Sequence, residues 1–317
     1  MKRLCVFAHW DKDNIIDDYV LYYLQALREV CYKIIFVSDC DLSNEEIQKL
    51  ADIVDVTIAR KHGEYDFGSY KRGFFYAKEN NIEFDELLFV NDSCYGPFYP
   101  LKPIFDKMSK KKCDFWGLTR NSYGIKKENG LDIAEWNPHI QSYFILFKKP
   151  VFTSNVFLQF IQNIKQEQSK SDVIINYEIG LTKTLTHAGF KPDVYINRYS
   201  HTENCLSSKW KRLIKWYKFP FIKTSLIKNG IFVLGEIKDW EQTIESVSSY
   251  PVNIIKKNAN RYKNPEPDLY KTFNLYRKIR FIVLQNCPME MRRIVIKLEK
   301  SGYKILNTLF FHKLKKF

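Results

Sequence analysis

Residues 84–97 read FDELLFVNDSCYGP. An apolar run, Leu87-Leu88-Phe89-Val90, stops at Asn91-Asp92-Ser93, and Gly96-Pro97 then ends any regular structure. A buried strand that delivers a carboxylate at its C-terminal end is a common way for an α/β protein to place a metal ligand or a catalytic acid. The plainer alternative is that Asp92 caps the following turn, as Asn, Asp and Ser all do. The same pattern of polar residues after an apolar run recurs at Ala8-His9-Trp10-Asp11 and at Ser38-Asp39, and a polar loop at 60–68 holds Asp66.

These groups need strands to carry them. Apolar runs at 3–8, 33–37, 54–59 and 87–90 predict strands. Between them, three- and four-residue apolar spacing predicts a helix at 14–30, a capping-box pattern at Ser43–Glu46 opens a helix through 53, and another helix covers 69–80. Strands alternating with helices at this rhythm predict an α/β fold with a doubly wound, mostly parallel sheet. Ligands of such sheets bind at the carboxyl ends of the strands, where His9, Asp39, Asp66 and Asp92 would gather. Further along, a helix at 101–108, a strand at 114–118, a polar loop over 120–138 and a strand at 140–147 are expected. Helices at 151–166 and 172–189 and a last strand at 194–196 complete this part.

The chain has 317 residues, 45% hydrophobic and 16% aromatic, which is a folded composition. Its charge of +14 is unevenly spread. Residues 1–204 hold 26 Lys/Arg against 28 Asp/Glu, whereas residues 205–317 hold 24 against 8. We therefore expect a domain at 1–204 and a basic, mainly helical extension at 205–317, with amphipathic helices at 268–285 and 289–311. The stretch KWKRLIKWYKFPFIKTSLIK at 209–228 suits an anionic membrane surface, with Lys on headgroups and aromatic rings at the boundary. A solvated basic face is the alternative. No nucleic-acid recognition module is visible, so nucleic acid is not an expected partner. Seven scattered cysteines without a CxxC pair suggest reduced thiols in a cytoplasm. No apolar run is long enough to span a bilayer.

No GxxxxGK[ST] or GxGxxG motif occurs, which argues against a P-loop enzyme or a dinucleotide oxidoreductase. A sheet that binds a nucleotide through acids and a divalent cation points to a GT-A-like, nucleotide-sugar glycosyltransferase. Its diphosphate leaving group needs neutralising, by Mg²⁺ or Mn²⁺ on one or two carboxylates or by basic side chains such as Lys71, Arg72 or Lys223.

Several blocks resemble the rhamnan synthesis protein F family. They are Asp66-Phe67-Gly68-Ser69-Tyr70-Lys71-Arg72-Gly73, Asn91-Asp92-Ser93 with Gly96-Pro97, Cys113–Thr119, His139–Phe144, Tyr177–Leu181 and Pro220–Lys223. They span roughly residues 1–260 in the family's order. The resemblance implies a divergent GT-A-like glycosyltransferase of bacterial cell-surface polysaccharide synthesis. A second, looser resemblance, to inverting GT-A enzymes, has Tyr177-Glu178 open a helix with Leu181, Leu185 and Ala188-Gly189 at matching offsets, which implies Glu178 as the general base; the alternative is a first-turn acid that favours the helix dipole. The usual Asp-x-Asp metal motif has become Asn91-Asp92-Ser93, leaving one carboxylate, and His201 stands where a further metal ligand is expected. His9, Asp39, Asp66, Gly68, Arg72, Asn91 and Asp92 are the expected donor-binding residues. Ser93, His139, Gln141 and Ser142 are the expected sugar contacts.

The function implied is inverting transfer of rhamnose from dTDP-rhamnose to a lipid-linked glycan, at the inner face of the plasma membrane. The alternatives are another nucleotide sugar, or a non-catalytic assembly module.

Overall fold

Short apolar runs build the sheet. Its strands are β1 (Arg3–His9), β2 (Lys33–Ser38), β3 (Val56–Ala59), β4 (Glu86–Asn91), β5 (Cys94–Tyr95), β6 (Phe115–Glu128), β7 (Leu131–Ile140), β8 (Phe144–Lys148), β9 (Pro192–Ile196) and β10 (Ile222–Lys223). The computed structural model describes residues 1–128, 131–197, 205–228, 237 and 239–262. The order β3-β2-β1-β4 is parallel throughout. β8 then joins β4 antiparallel, β6 joins β8 antiparallel, and β9 returns parallel to β6. β5 and β10 form a separate two-stranded ribbon. β1, β2 and β4 are buried on both faces, which is why their sequences read as unbroken apolar runs.

The helices are α1 (Asp18–Arg28), α2 (Asn44–Gln48), α3 (Tyr65–Glu79), α4 (Lys102–Ser109), α5 (Lys149–Phe152), α6 (Asn155–Gln162), α7 (Lys170–Val173), α8 (Gly180–His187), α9 (Cys205–Ser208), α10 (Trp210–Tyr217), α11 (Thr224–Lys228), α12 (Trp240–Glu245) and α13 (Val252–Arg261). A π-helical turn, Ile174–Ile179, joins α7 to α8. α3 packs on β1 and β2 through Phe67, Tyr70, Phe74 and Ala77. A Cβ on Gly73 would come within 2.3 Å of Val6 Cγ1, so only glycine lets α3 lie this close to the sheet. Tyr70 stacks on Phe89 with ring centroids 4.5 Å apart, and Phe74, Phe147 and Phe157 continue the cluster.

The parallel α/β core agrees with the sequence, and several elements differ. α3 begins at Tyr65, so Asp66 and Gly68 stand in its first turns and not in a preceding loop. The expected loop at 120–138 is instead the long β6–β7 hairpin. α1 is shorter than 14–30, and α2 ends at Gln48, although Ser43 caps it as its pattern implied, its hydroxyl accepting from the Glu46 N–H. Glu178 lies inside the π-helical turn and does not open a helix.

The change in composition near residue 204 is not a structural break. Residues 1–228 and 238–262 form one unit, because β10 pairs with β5 and α13 packs on α1. The second unit, 229–237 and 263–317, lies outside the described residues apart from Ile237, and the two expected helices at 268–285 and 289–311 fall there. Six cysteines are free and buried, and Cys287 lies outside the described residues.

Candidate active site

A cleft of about 910 Å³ opens at the carboxyl ends of β1, β2 and β4. Of the residues singled out in the sequence, His9, Asp39, Asp66, Asn91, Asp92, Ser93, His139, Gln141, Ser142 and Glu178 line it. Gly68 and Arg72 do not. A Cβ on Gly68 would lie 2.3 Å from Glu64 Cβ, so this glycine lets α3 fold against its own approach segment. Arg72 is held by Glu64 at 2.8 Å and by the Gly68 carbonyl, and not by Asp66. His201 lies outside the described residues.

The strand ends place the groups. Asn91 Nδ2 donates to Asp66 Oδ2 at 2.9 Å, while Asn91 Oδ1 accepts from the Ser93 N–H and hydroxyl. Asn91 thereby ties the first turn of α3 to the end of β4. Asp92 Oδ2 accepts from the Trp10 N–H at 3.0 Å and stands 3.9 Å from His9 Nε2. Burial pushes Asp92 up to about 7, against the pull of that N–H and of Lys228. Burial also holds His9 down at about 4, so its imidazole is neutral near pH 7. Its Nδ1 is paired with the Ser38 hydroxyl.

Across the cleft, Ser142 links two acids. Its hydroxyl donates to Glu178 Oε2 at 2.5 Å and lies 3.5 Å from Asp66 Oδ2, and its N–H also donates to Glu178. Tyr70 fixes the same residue through a hydrogen bond to the Ser142 carbonyl. His139 Nε2 stands 3.3 Å from Glu178 Oε1, off the line of a hydrogen bond. Burial would raise Glu178, but His139 and Ser142 outweigh it and hold the carboxyl at about 2. Asp66 moves the other way, raised by burial and by the Glu178 charge. Two neighbouring acids pushed in opposite directions divide the protonation states between them.

Residues 34–313 match the rhamnan synthesis protein F family. The chain belongs to that family. It is 27% identical over 280 residues to virulence protein VirA of Vibrio anguillarum, covering 85% of this chain and 83% of that one. It is 28% identical over 157 residues to an uncharacterised protein of Sinorhizobium fredii, covering 50% of this chain but only 39% of the relative. Two solved structures show a distant likeness. One is 4-diphosphocytidyl-2C-methyl-D-erythritol synthase, at 10% identity, 67% and 97% coverage and a TM-score of 0.41. The other is core-mannan synthase A of Aspergillus fumigatus, at 8% identity, 58% and 69% coverage and a TM-score of 0.36. Membership of the rhamnan synthesis F family supports a nucleotide-sugar glycosyltransferase of polysaccharide synthesis.

In this rhamnan synthesis F protein, the basic stretch 209–228 enters the site. Phe219, Phe221 and Ile222 are buried, and β10 brings Lys223 into the cleft beside Thr224 and Ser225. Lys228 lies 3.7 Å from the Tyr262 ring centroid and interacts with Asp92, and burial lowers it. Asp11, in the polar segment after β1, is paired with Arg261 and the Tyr262 hydroxyl. Lys61, Tyr65, Gln166, Glu167 and Lys170 also line the cleft, and nothing in their sequence context marked them out.

Among the described residues, no group of three His, Cys, Asp or Glu side chains converges on one point. Asp92 is the carboxylate at this strand end that could hold a divalent cation, and water and substrate oxygens would have to complete its shell.

Proposed function

We propose that this cleft transfers a sugar from a nucleotide-activated donor to a glycan acceptor, with rhamnose from dTDP-rhamnose as the sugar and a lipid-linked glycan as the acceptor. The observation that carries the reading is the chain Asp66–Ser142–Glu178–His139, which faces Asp92 within one cleft at the strand ends. Inverting transfer needs a carboxylate to take the acceptor hydroxyl proton and a polar pocket for the leaving diphosphate. Glu178 is ionised and fixed in place, so it is the first choice as base. An acceptor hydroxyl that displaces the Ser142 hydroxyl would meet Glu178 Oε2 directly. A cation on Asp92 would supply neutralisation of the diphosphate. His9, Trp10 and Asp39 border the donor side, although Asp39 also accepts the His62 and Gly63 N–H groups and so shapes the loop beside it.

A second assignment of the base has its own support. Asp66 shares the Ser142 hydroxyl, and its raised proton affinity suits a base better than a carboxyl held at about 2. The two assignments separate in a direct assay. Nucleoside diphosphate release would be measured for the full chain and for Glu178→Gln and Asp66→Asn, across several sugar nucleotides with a lipid-linked acceptor. The substitution at the true base should lower turnover at least about a hundredfold with donor affinity kept. Wild-type turnover in both variants would end the mechanism, and no turnover of any donor by the wild type would end the enzyme reading.

We place the protein at the cytoplasmic face of a membrane. In support, α10 carries Lys211, Arg212 and Lys215 with Trp216 69% exposed, while Leu213 and Ile214 are buried. Among the described residues, no helix is long and apolar enough to cross a membrane.

A further inference from the structure

We infer that Lys223 binds the diphosphate of the donor and neutralises it as it leaves, an inference that rests on the nucleotide-sugar reading above. The ribbon of β5 and β10 sets Lys223 opposite Cys94, immediately after the Asn91-Asp92-Ser93 strand end. Thr224 N–H donates to the Ser93 carbonyl, and Phe98 N–H donates to the Pro220 carbonyl. A Cβ on Gly96 would lie 2.3 Å from that Pro220 oxygen, and Gly96 has φ +134°, so only glycine lets the two segments meet this closely. The backbone that carries Lys223 is thus fixed to the segment that carries Asp92.

The ammonium group is held without a carboxylate in contact, although its charge reaches Asp66 and lowers that carboxyl. Nζ donates to the Ser93 hydroxyl at 3.2 Å and lies 4.6 Å from the Tyr143 ring centroid. Among the described residues, no carboxylate stands within 4.0 Å of it. Other basic residues near the site already have partners. Lys71 donates to the Gln162 and Ile164 carbonyls, Arg72 pairs with Glu64, and Lys228 faces Asp92 and the Tyr262 ring. Lys61 and Lys170 reach the cleft but are not hydrogen-bonded to the strand end that carries Asp92.

An ammonium placed by a hydroxyl and a ring face, inside a cleft, is completed by an anion. In the transfer step the bond from the anomeric carbon to the phosphate oxygen breaks, and its electron pair stays on that oxygen. The acceptor oxygen bonds the anomeric carbon, and its proton passes to the carboxylate base. The nucleoside diphosphate leaves with one more negative charge than it had in the donor. A fixed cation beside it therefore favours the transition state over the bound donor. Lys223 would carry this charge alongside whatever cation Asp92 holds, which suits a motif left with one carboxylate.

The test is calorimetric titration of the full chain with dTDP, UDP and GDP and with the matching monophosphates, in EDTA and in Mg²⁺. Lys223→Ala should weaken diphosphate binding at least about tenfold in EDTA and change monophosphate binding less than about threefold. Lys223→Arg should recover most of the loss. Lys223→Gln keeps the stem on Tyr143 and should match the alanine variant, which guards against a folding defect. Diphosphate binding unchanged in Lys223→Ala, or lost equally with monophosphate binding, would overturn the role of Lys223 while leaving the nucleotide-sugar reading intact. A wild-type chain that binds none of the nucleotides would overturn both.

Discussion

Asp66 and Glu178 converge on one hydroxyl, and their proton affinities diverge: burial and the Glu178 charge raise Asp66, whereas His139 and Ser142 lower Glu178 against its burial. Asp92 poses a separate question of charge. Its folded value of about 7 lies above its ordinary 3.8, so the folded state holds the proton more tightly than the unfolded chain. The associated stability is complete below pH 3.8 and is lost as pH rises through about 7. In EDTA, Asp92→Asn should therefore flatten this part of the pH–stability profile and gain relative to wild type at pH 8. The gain is at most about 4 kcal/mol, from about 1.36 kcal/mol per unit between 3.8 and about 7. Chemical denaturation between pH 5 and 8 checks this, and identical pH slopes for the two proteins would contradict it. Asp92, Asn91 and Ser142 were legible because they sit at the ends of apolar runs or in family blocks. The role of Lys228 was not, because its partners Asp11, Asp17 and Asp92 are far away in sequence.

The loop after β1 and the helix α13 are joined by a buried network that no local pattern announces. Arg261 pairs with Asp11, Asp13 and Asp17, Asn258 bonds Asp17, and the Tyr262 hydroxyl donates to Asp11. Asp11 and Asp17 are only 5% and 7% exposed. Arg261→Ala would leave two buried carboxylates without their cation, and breaking such a pair costs about 3–5 kcal/mol. A melting temperature within a degree or two of wild type would refute that expectation. The Arg261 and Tyr262 contacts hold Asp11 below its usual value despite burial, so their contribution is present above the ordinary carboxylate range and lost as pH falls. Gly73→Val tests the seat of α3 on β1. With Val6 Cγ1 already 2.3 Å from a Cβ, overpacking should cost about 1–3 kcal/mol or more, read from urea denaturation. The β6–β7 hairpin had a signal that went unread. Asn129-Gly130 is a dipeptide favoured in two-residue hairpin turns, and β6 and β7 pair at Glu128 and Leu131 on either side of it. Its polar, Gly- and Asn-containing sequence gave it the look of a loop.

The parallel core was readable because buried parallel strands are written as continuous apolar runs. The boundary at residue 204 was misplaced for a physical reason. Net charge reports the surface, whereas membership of a compact unit depends on the few apolar residues that enter the core. In 209–228 those are Leu213, Ile214, Phe219, Phe221, Ile222 and Leu226. This also sets the test of membrane binding. A chain cut at 204 would lose β10, α13 and Lys223 together, so the full chain is required. Replacing Lys211, Arg212 and Lys215 with Gln should weaken co-sedimentation with phosphatidylserine vesicles on the order of a hundredfold, from about 1 kcal/mol per charge. Unchanged sedimentation would remove α10 as the contact. The central claim, that the cleft turns over a nucleotide sugar, is tested most directly by nucleoside diphosphate release from a panel of donors that includes dTDP-rhamnose. We expect at least one donor to be turned over, with turnover lost in either Glu178→Gln or Asp66→Asn while the melting temperature holds. Release from no donor, or wild-type release from both variants, would contradict it.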